Sequence, residues 1–66
     1  MDIKHPNITV RLIGTDGNAF SILGKVENAL RRKGVSKEQI DEFRKDATSG
    51  DYNHLLGVCM DWVKVT

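Results

Sequence analysis

Val35-Ser36-Lys37-Glu38-Gln39-Ile40 carries the strongest local signal in this chain of 66 residues. Ser36 and Gln39 have the spacing of a capping box, in which each side chain reaches the other residue's backbone N–H. Val35 just before the cap and Ile40 at the start of the second turn fit a hydrophobic staple. Together they predict a helix that starts at Lys37. Its apolar stripe is thin: Ile40, Phe43 and Ala47, with the rest of Lys37 to Asp46 polar or charged. Such a helix lies on the surface and meets a core by one edge.

Reading outward toward the N-terminus, Gly34 follows Arg31-Arg32-Lys33 and sits where a glycine closes a preceding helix. That helix follows the turn Gly14-Thr15-Asp16-Gly17, with Asp16 or Asn18 as its N-cap. Ala19, Ile22, Leu23, Val26 and Leu30 recur in it at helical spacing. Gly24 inside it costs about 1 kcal/mol relative to Ala and reads as a close approach of another backbone. Upstream, Ile8, Val10 and Leu12 alternate with Thr9 and Arg11, the period of a half-buried strand over Asn7 to Ile13. Ile13 breaks the polar face. Met1 to Pro6 is polar and is expected to be a disordered leader, leaving 7–66 as one small globular domain.

Toward the C-terminus, Thr48-Ser49-Gly50-Asp51 ends one helix and starts another. Gly50 is expected to close the first, and Ser49 or Asp51 to cap the second. The third helix spans Tyr52 to about Asp61. Tyr52, Leu55, Leu56, Cys59 and Val63 fall on one stripe; Val58, Met60 and Trp62 add apolar surface on other sides. Trp62 to Thr66 reads as a short strand whose natural partner is Asn7 to Ile13. The expected fold is α+β with the order β-α-α-α-β: three helices packed with a small two-stranded sheet formed by the N- and C-terminal strands. The sense of the pairing is left open. A two-stranded sheet keeps exposed edges that can pair with another chain.

Composition narrows the function. Apolar residues are 39% of the chain, Lys and Arg number ten, and Asp and Glu nine, a formal charge of +1. A chain this short buries only about 60% of the surface its unfolded form exposes, which leaves little room for an enclosed pocket. Dedicated nucleic-acid domains are usually more basic. Cys59 is the only cysteine, so no intramolecular disulfide framework is possible. No run approaches the ~20 apolar residues that cross a bilayer. These features predict a cytoplasmic protein with no membrane segment.

Chemistry-bearing groups are sparse. His54 and Cys59 on one helix stand about 140° apart around its axis, so they share no face. That argues against a metal site and against a thiol–imidazole pair. A catalytic role, a metal and a cofactor are therefore not expected. Gly14-Thr15-Asp16-Gly17 lacks the Lys-Ser/Thr or third glycine of a phosphate loop. Arg31-Arg32-Lys33, with Lys25 nearby, is the one basic cluster. It joins a helix–turn–helix outline whose second helix has three cations and four carboxylates from Lys37 to Asp46, the wrong sign for entering a groove of nucleic acid. Cations at a helix C-terminus also have a local explanation in the macrodipole. Trp62, with Val58, Met60 and Ile13, is a candidate apolar patch, since aromatics and Met are enriched in interface centres; the alternative places Trp62 in the core.

Asp16-Gly17-Asn18-Ala19-Phe20, Ile22-Leu23-Gly24, Ala47-Thr48-Ser49-Gly50-Asp51-Tyr52 and Cys59-Met60-Asp61-Trp62-Val63 resemble segments of a group of short uncharacterised bacterial proteins. The resemblance spans Ile8 to Val65. It implies a small bacterial stand-alone domain and brings no activity, cofactor or functional residue with it. The expected function is a small cytoplasmic protein-interaction module or homodimer acting through Ile13, Val58, Met60 and Trp62. The alternative is a weak nucleic-acid-binding accessory protein using Lys25, Arg31, Arg32 and Lys33.

Overall fold

The computed structural model describes residues 3–12 and 17–66. Five elements follow one another: β1 (His5–Val10), α1 (Ala19–Arg32), α2 (Lys37–Ala47), α3 (Tyr52–Trp62) and β2 (Val63–Val65). The fold is α+β, with the two terminal strands forming one parallel sheet. Parallel neighbours need a long crossover, and here all three helices lie within it.

Capping chemistry sets the helix starts. The Asn18 Oδ1 accepts the Phe20 N–H at 2.8 Å, so Asn18 is the cap of α1; Asp16 lies outside the described residues. The Ser36 Oγ accepts the Gln39 N–H at 3.2 Å, and α2 begins at Lys37 as expected. The Asp51 Oδ1 accepts the His54 N–H at 2.9 Å and opens α3. Each oxygen satisfies a backbone donor that the helix itself leaves unpaired.

The junction of α1 and α2 hangs on Gly34 and Val35. Gly34 has φ +83°, a region that L side chains enter at a cost of about 1–2 kcal/mol. The Gly34 N–H donates to the Arg31 carbonyl at 3.1 Å and the Val35 N–H to the Leu30 carbonyl at 3.0 Å. This is the paired bonding of a Schellman motif. Val35, half-buried against the core, thus closes α1 and precedes the cap of α2.

Gly24 does not mark a backbone contact. A Cβ built there meets nothing within 4 Å. Gly50 does not close α2 by a left-handed turn either, since only Gly17 and Gly34 have positive φ among the described residues. It is held small by packing, because a Cβ there would lie 2.7 Å from the His54 ring.

The core gathers Ile8 and Val10 from β1, Ile22, Leu23, Val26 and Leu30 from α1, and Ile40, Phe43 and Ala47 from α2. From α3 it takes Leu55, Val58, Cys59 and Trp62, and Val63 from β2. The stripes of α1 and α2 match the spacing in the sequence. That of α3 is rotated: its buried face is Leu55, Val58, Cys59 and Trp62, while Leu56 is half-buried and Tyr52 exposed. Among the described residues, one charged residue belongs to the buried set. Glu27 accepts a 2.9 Å bond from Arg44 Nε, tying α1 to α2.

The strand starts earlier than the alternation predicts. His5 and Pro6 lie in β1 instead of a leader, and the Lys4 N–H donates to the Asp61 carbonyl at 2.9 Å. Pro6 is tolerated because the register is irregular between His5 and Thr9, where a missing ladder donor does little harm. At the other end, Leu12 N–H donates to the Thr66 carbonyl at 2.9 Å.

Two glycine substitutions separate these backbone roles. Gly34→Ala should lower unfolding free energy by about 1–2 kcal/mol through strain alone, because no atom obstructs the new Cβ. Gly24→Ala should raise it by about 1 kcal/mol. In a domain of this size each kcal/mol moves Tm by about 4–8 °C, so thermal melts of the two variants should shift in opposite directions.

Candidate functional site

An apolar groove opens where the first turn of α1, the end of α2 and the first turn of α3 meet. It measures about 230 Å³ and is lined by Phe20, Leu23, Ala47, Tyr52 and Leu55, with Asp51 among its polar neighbours. The floor consists of core residues: Leu23, Ala47 and Leu55 are all buried. The rim is unusual. Phe20 is 82% exposed and Tyr52 42%, so two aromatic rings stand in water beside a concave apolar surface. Phe20 sits one position past Ala19, which turns it about 100° away from that half-buried neighbour. Asn18 and Asp51 fix the two helix starts and with them the two aromatic positions.

Among the described residues, Val58, Met60 and Trp62 do not form the patch expected from the sequence. Val58 and Trp62 belong to the buried face of α3, Trp62 only 3% exposed. Met60 lies two positions past Val58, about 200° around the helix, and is exposed. Ile13 lies outside the described residues. Trp62 is covered by the Phe43 ring edge-on at 5.5 Å and the His5 ring at 5.8 Å between ring centres, and by Lys4 Nζ over the ring, 4.2 Å from its centre. The expected leader thus supplies part of that cover. Phe20 lies outside the set Ala19, Ile22, Leu23, Val26 and Leu30 that the helical spacing picks out, so the sequence reading gives it no role as a surface.

The basic residues separate. Lys25 and Arg32 line a second groove, of about 230 Å³, between α1 and the end of β1, together with Thr9, Arg11 and Asn28. Lys25 Nζ donates to the Arg11 carbonyl at 2.8 Å, which draws α1 onto the strand end. Arg31 Nη1 donates to the Asn28 Oδ1 at 3.1 Å and lines a different groove, with Asp41 and Arg44 of α2. Lys33 caps α1 through its backbone and is outside the groove. Arg11 is the member that the basic run in the sequence does not include, because alternation places it on the polar face of a strand.

Ser49, His54 and Asp46 come together where α2 meets α3. His54 Nε2 lies 3.2 Å from Ser49 Oγ, 2.9 Å from the Asp46 carbonyl and 3.5 Å from Asp46 Oδ1. A catalytic triad engages both imidazole nitrogens, one for the hydroxyl and the other for the carboxylate. Here one nitrogen meets every partner, and Ser49 Oγ donates to the Asp46 carbonyl at 2.7 Å. The cluster holds the end of α2 against the start of α3. Among the described residues no group of three or more His, Cys, Asp or Glu could hold a metal ion, and no helix is long and apolar enough to cross a membrane.

Cys59 is fully buried. Burial pushes its thiol up from 9.0 to about 11, with a backbone hydrogen bond acting weakly the other way. The thiolate is the reactive form, so native Cys59 should resist alkylation at pH about 8 and react on denaturation. The linkage has a definite sign. The unfolded thiol ionises near 9.0 and the folded one near 11, so its contribution to stability is intact below pH 9.0 and is lost as pH rises toward 11. Urea unfolding of wild type and Cys59→Ala should show the wild-type advantage shrinking across that window.

No protein-family model, no curated protein and no solved structure matches this chain.

Proposed function

We propose that this chain is a protein-interaction module whose partner is a second copy of itself, joined through the groove beneath Phe20. The observation that carries the reading is a knob beside its own hole: Phe20 is 82% exposed and borders an apolar groove floored by Leu23, Ala47 and Leu55. Single exposed apolar residues are ordinary on protein surfaces. The adjacent concave apolar surface is what sets Phe20 apart. A two-fold contact requires one surface to complement itself, and a protruding ring next to a cleft meets that condition, each Phe20 entering the other copy's groove. Fully burying such a ring contributes about 1.5–3 kcal/mol, and the symmetry supplies it twice. A standard interface takes about 800 Å² from each partner, roughly a sixth of the 4580 Å² surface of this chain. Tyr52, 42% exposed, adds a second ring to the same groove. We place the module in a bacterial cytoplasm, supported by the single unpaired cysteine and by the resemblance to short bacterial proteins.

Sedimentation equilibrium of wild type and Phe20→Ser tests the reading. Wild type should self-associate with a micromolar dissociation constant, about −8 kcal/mol, and Phe20→Ser should be monomeric. Its Tm should be nearly unchanged in dilute solution, since surface substitutions shift stability by about 0.5 kcal/mol or less. A wild type that stays monomeric at millimolar concentration removes the proposal. Trp62→Ala is no probe of this surface, because truncating a buried Trp costs about 3–5 kcal/mol and threatens the fold itself.

A further inference from the structure

We infer that His54 is a latch: its ring is locked with a proton on Nε2, and the lock sets the position of one wall of the self-association groove. The second part rests on the groove being a self-association surface; the first rests on hydrogen bonds alone. Around Nε2 stand the Asp46 carbonyl at 2.9 Å, the Ser49 Oγ at 3.2 Å and the Asp46 Oδ1 at 3.5 Å. A carbonyl and an ionised carboxylate only accept. The Ser49 hydroxyl has a single proton, and it is committed to the Asp46 carbonyl at 2.7 Å. Toward the imidazole Ser49 therefore also accepts. An Nε2 without a proton would set its lone pair against oxygen lone pairs on every side. Only an Nε2–H gives these contacts a hydrogen, so in the neutral ring Nδ1 carries the lone pair.

The lock joins two pieces of one wall. Helix α2 ends at Ala47 and α3 begins at Tyr52, so the link between them is Thr48 to Asp51. Ala47 and Thr48 line the groove from one side of this link, and Asp51, Tyr52 and Leu55 from the other. The shape of the wall thus depends on the angle at which α3 leaves α2. Apolar packing of Ala47 and Leu55 is non-directional, whereas hydrogen bonds carry an angular preference. His54 lies in the first turn of α3 and reaches back to Asp46 in the last turn of α2. Its own backbone N–H donates to the Asp51 Oδ1 at 2.9 Å, which fixes the base from which the ring extends.

The packing of Gly50 is an independent sign that the ring must stay where it is. A Cβ built on Gly50 would lie 2.7 Å from the His54 Cγ and 2.8 Å from the His54 Cβ. These atoms are at the root of the side chain, so the ring cannot make room by turning its far end. The backbone of Gly50 does not itself call for glycine, since its φ is not positive.

Long-range proton–nitrogen NMR at pH about 8 should give a pyrrole-type nitrogen at Nε2 of His54 and a pyridine-type one at Nδ1. A glutamine amide reaches the place of Nε2 and an asparagine amide only that of Nδ1, so His54→Gln should keep the latch and His54→Asn should lose it. Self-association should weaken about fivefold or more in His54→Asn, the scale of one hydrogen bond, and about twofold or less in His54→Gln. Gly50→Ala should behave as His54→Asn does. Circular dichroism at the measuring temperature checks that each variant is folded. The Phe20→Ser monomer gives a readout that needs no self-association: there His54→Asn should shift the NMR signals of the Ala47 methyl and the Tyr52 ring further than His54→Gln. Both substitutions remove the imidazole ring current, so a difference between them reports the latch. A pyridine-type Nε2, or the same behaviour in His54→Gln and His54→Asn, overturns the inference. A wild type that stays monomeric while the tautomer and the difference in the Phe20→Ser background hold supports the latch and removes only self-association.

Discussion

Trp62 is the point on which the two ends of this chain depend. It is the last residue of α3, and Val63 after it is the first of β2. With no linker between helix and strand, the direction in which α3 ends fixes where β2 starts. The ring is held edge-on by Phe43 of α2 and covered by Lys4 and His5 from the chain's beginning. Lys4 N–H reaches the Asp61 carbonyl beside it. Burying this ring therefore requires the N-terminal segment to arrive at the α3 end of the molecule, and from there β1 can only run alongside β2 in the same direction. The parallel sheet follows from that clamp.

Three short helices can be arranged around the clamp because their ends are fixed independently of it. Asn18, Ser36 and Asp51 each supply an oxygen to a backbone N–H within their own first turn. Gly34 and Val35 do the same for the carbonyls at the end of α1. These interactions involve neighbours in sequence, and residue type and spacing alone reveal them. That is why the start of α2, the cap of α3 and the apolar stripes of α1 and α2 are legible in the amino-acid sequence. Contacts between distant residues are not. The sequence cannot say that Lys4 and His5 cover Trp62, so a covered ring reads as equally suited to an interface. Nor can it say that Gly50 answers to the His54 ring instead of to a left-handed turn. The buried Glu27 escapes for the same reason, since its partner Arg44 is on another helix.

The candidate surfaces divide along the same line. The basic residues are visible as a run, Arg31-Arg32-Lys33, but the groove is built from Lys25 and Arg32, which share a face of α1, and from Arg11, which the sheet delivers from elsewhere. Counting charge along the chain joins Lys33 to the cluster; folding removes it and adds Arg11. The apolar surface changes more completely. Val58 and Trp62 are drawn inward by the rotation of the α3 stripe, while Phe20 is left outside by the rotation of α1.

Helix α1 connects these observations. Ile22, Leu23, Val26 and Leu30 are its contribution to the core, and they occupy one side of a helix of 14 residues. The remaining sides contribute little to folding, because a side chain that is exposed in both states gains almost nothing when the chain folds. Phe20 at its start is of this kind. A ring in water is hydrated at a free-energy disadvantage that only a contact from outside can remove. A ring exposed in the folded and the unfolded chain alike leaves folding stability nearly unchanged. One face of α1 is thus spent on the core, and its outer face is where the self-association we propose would act.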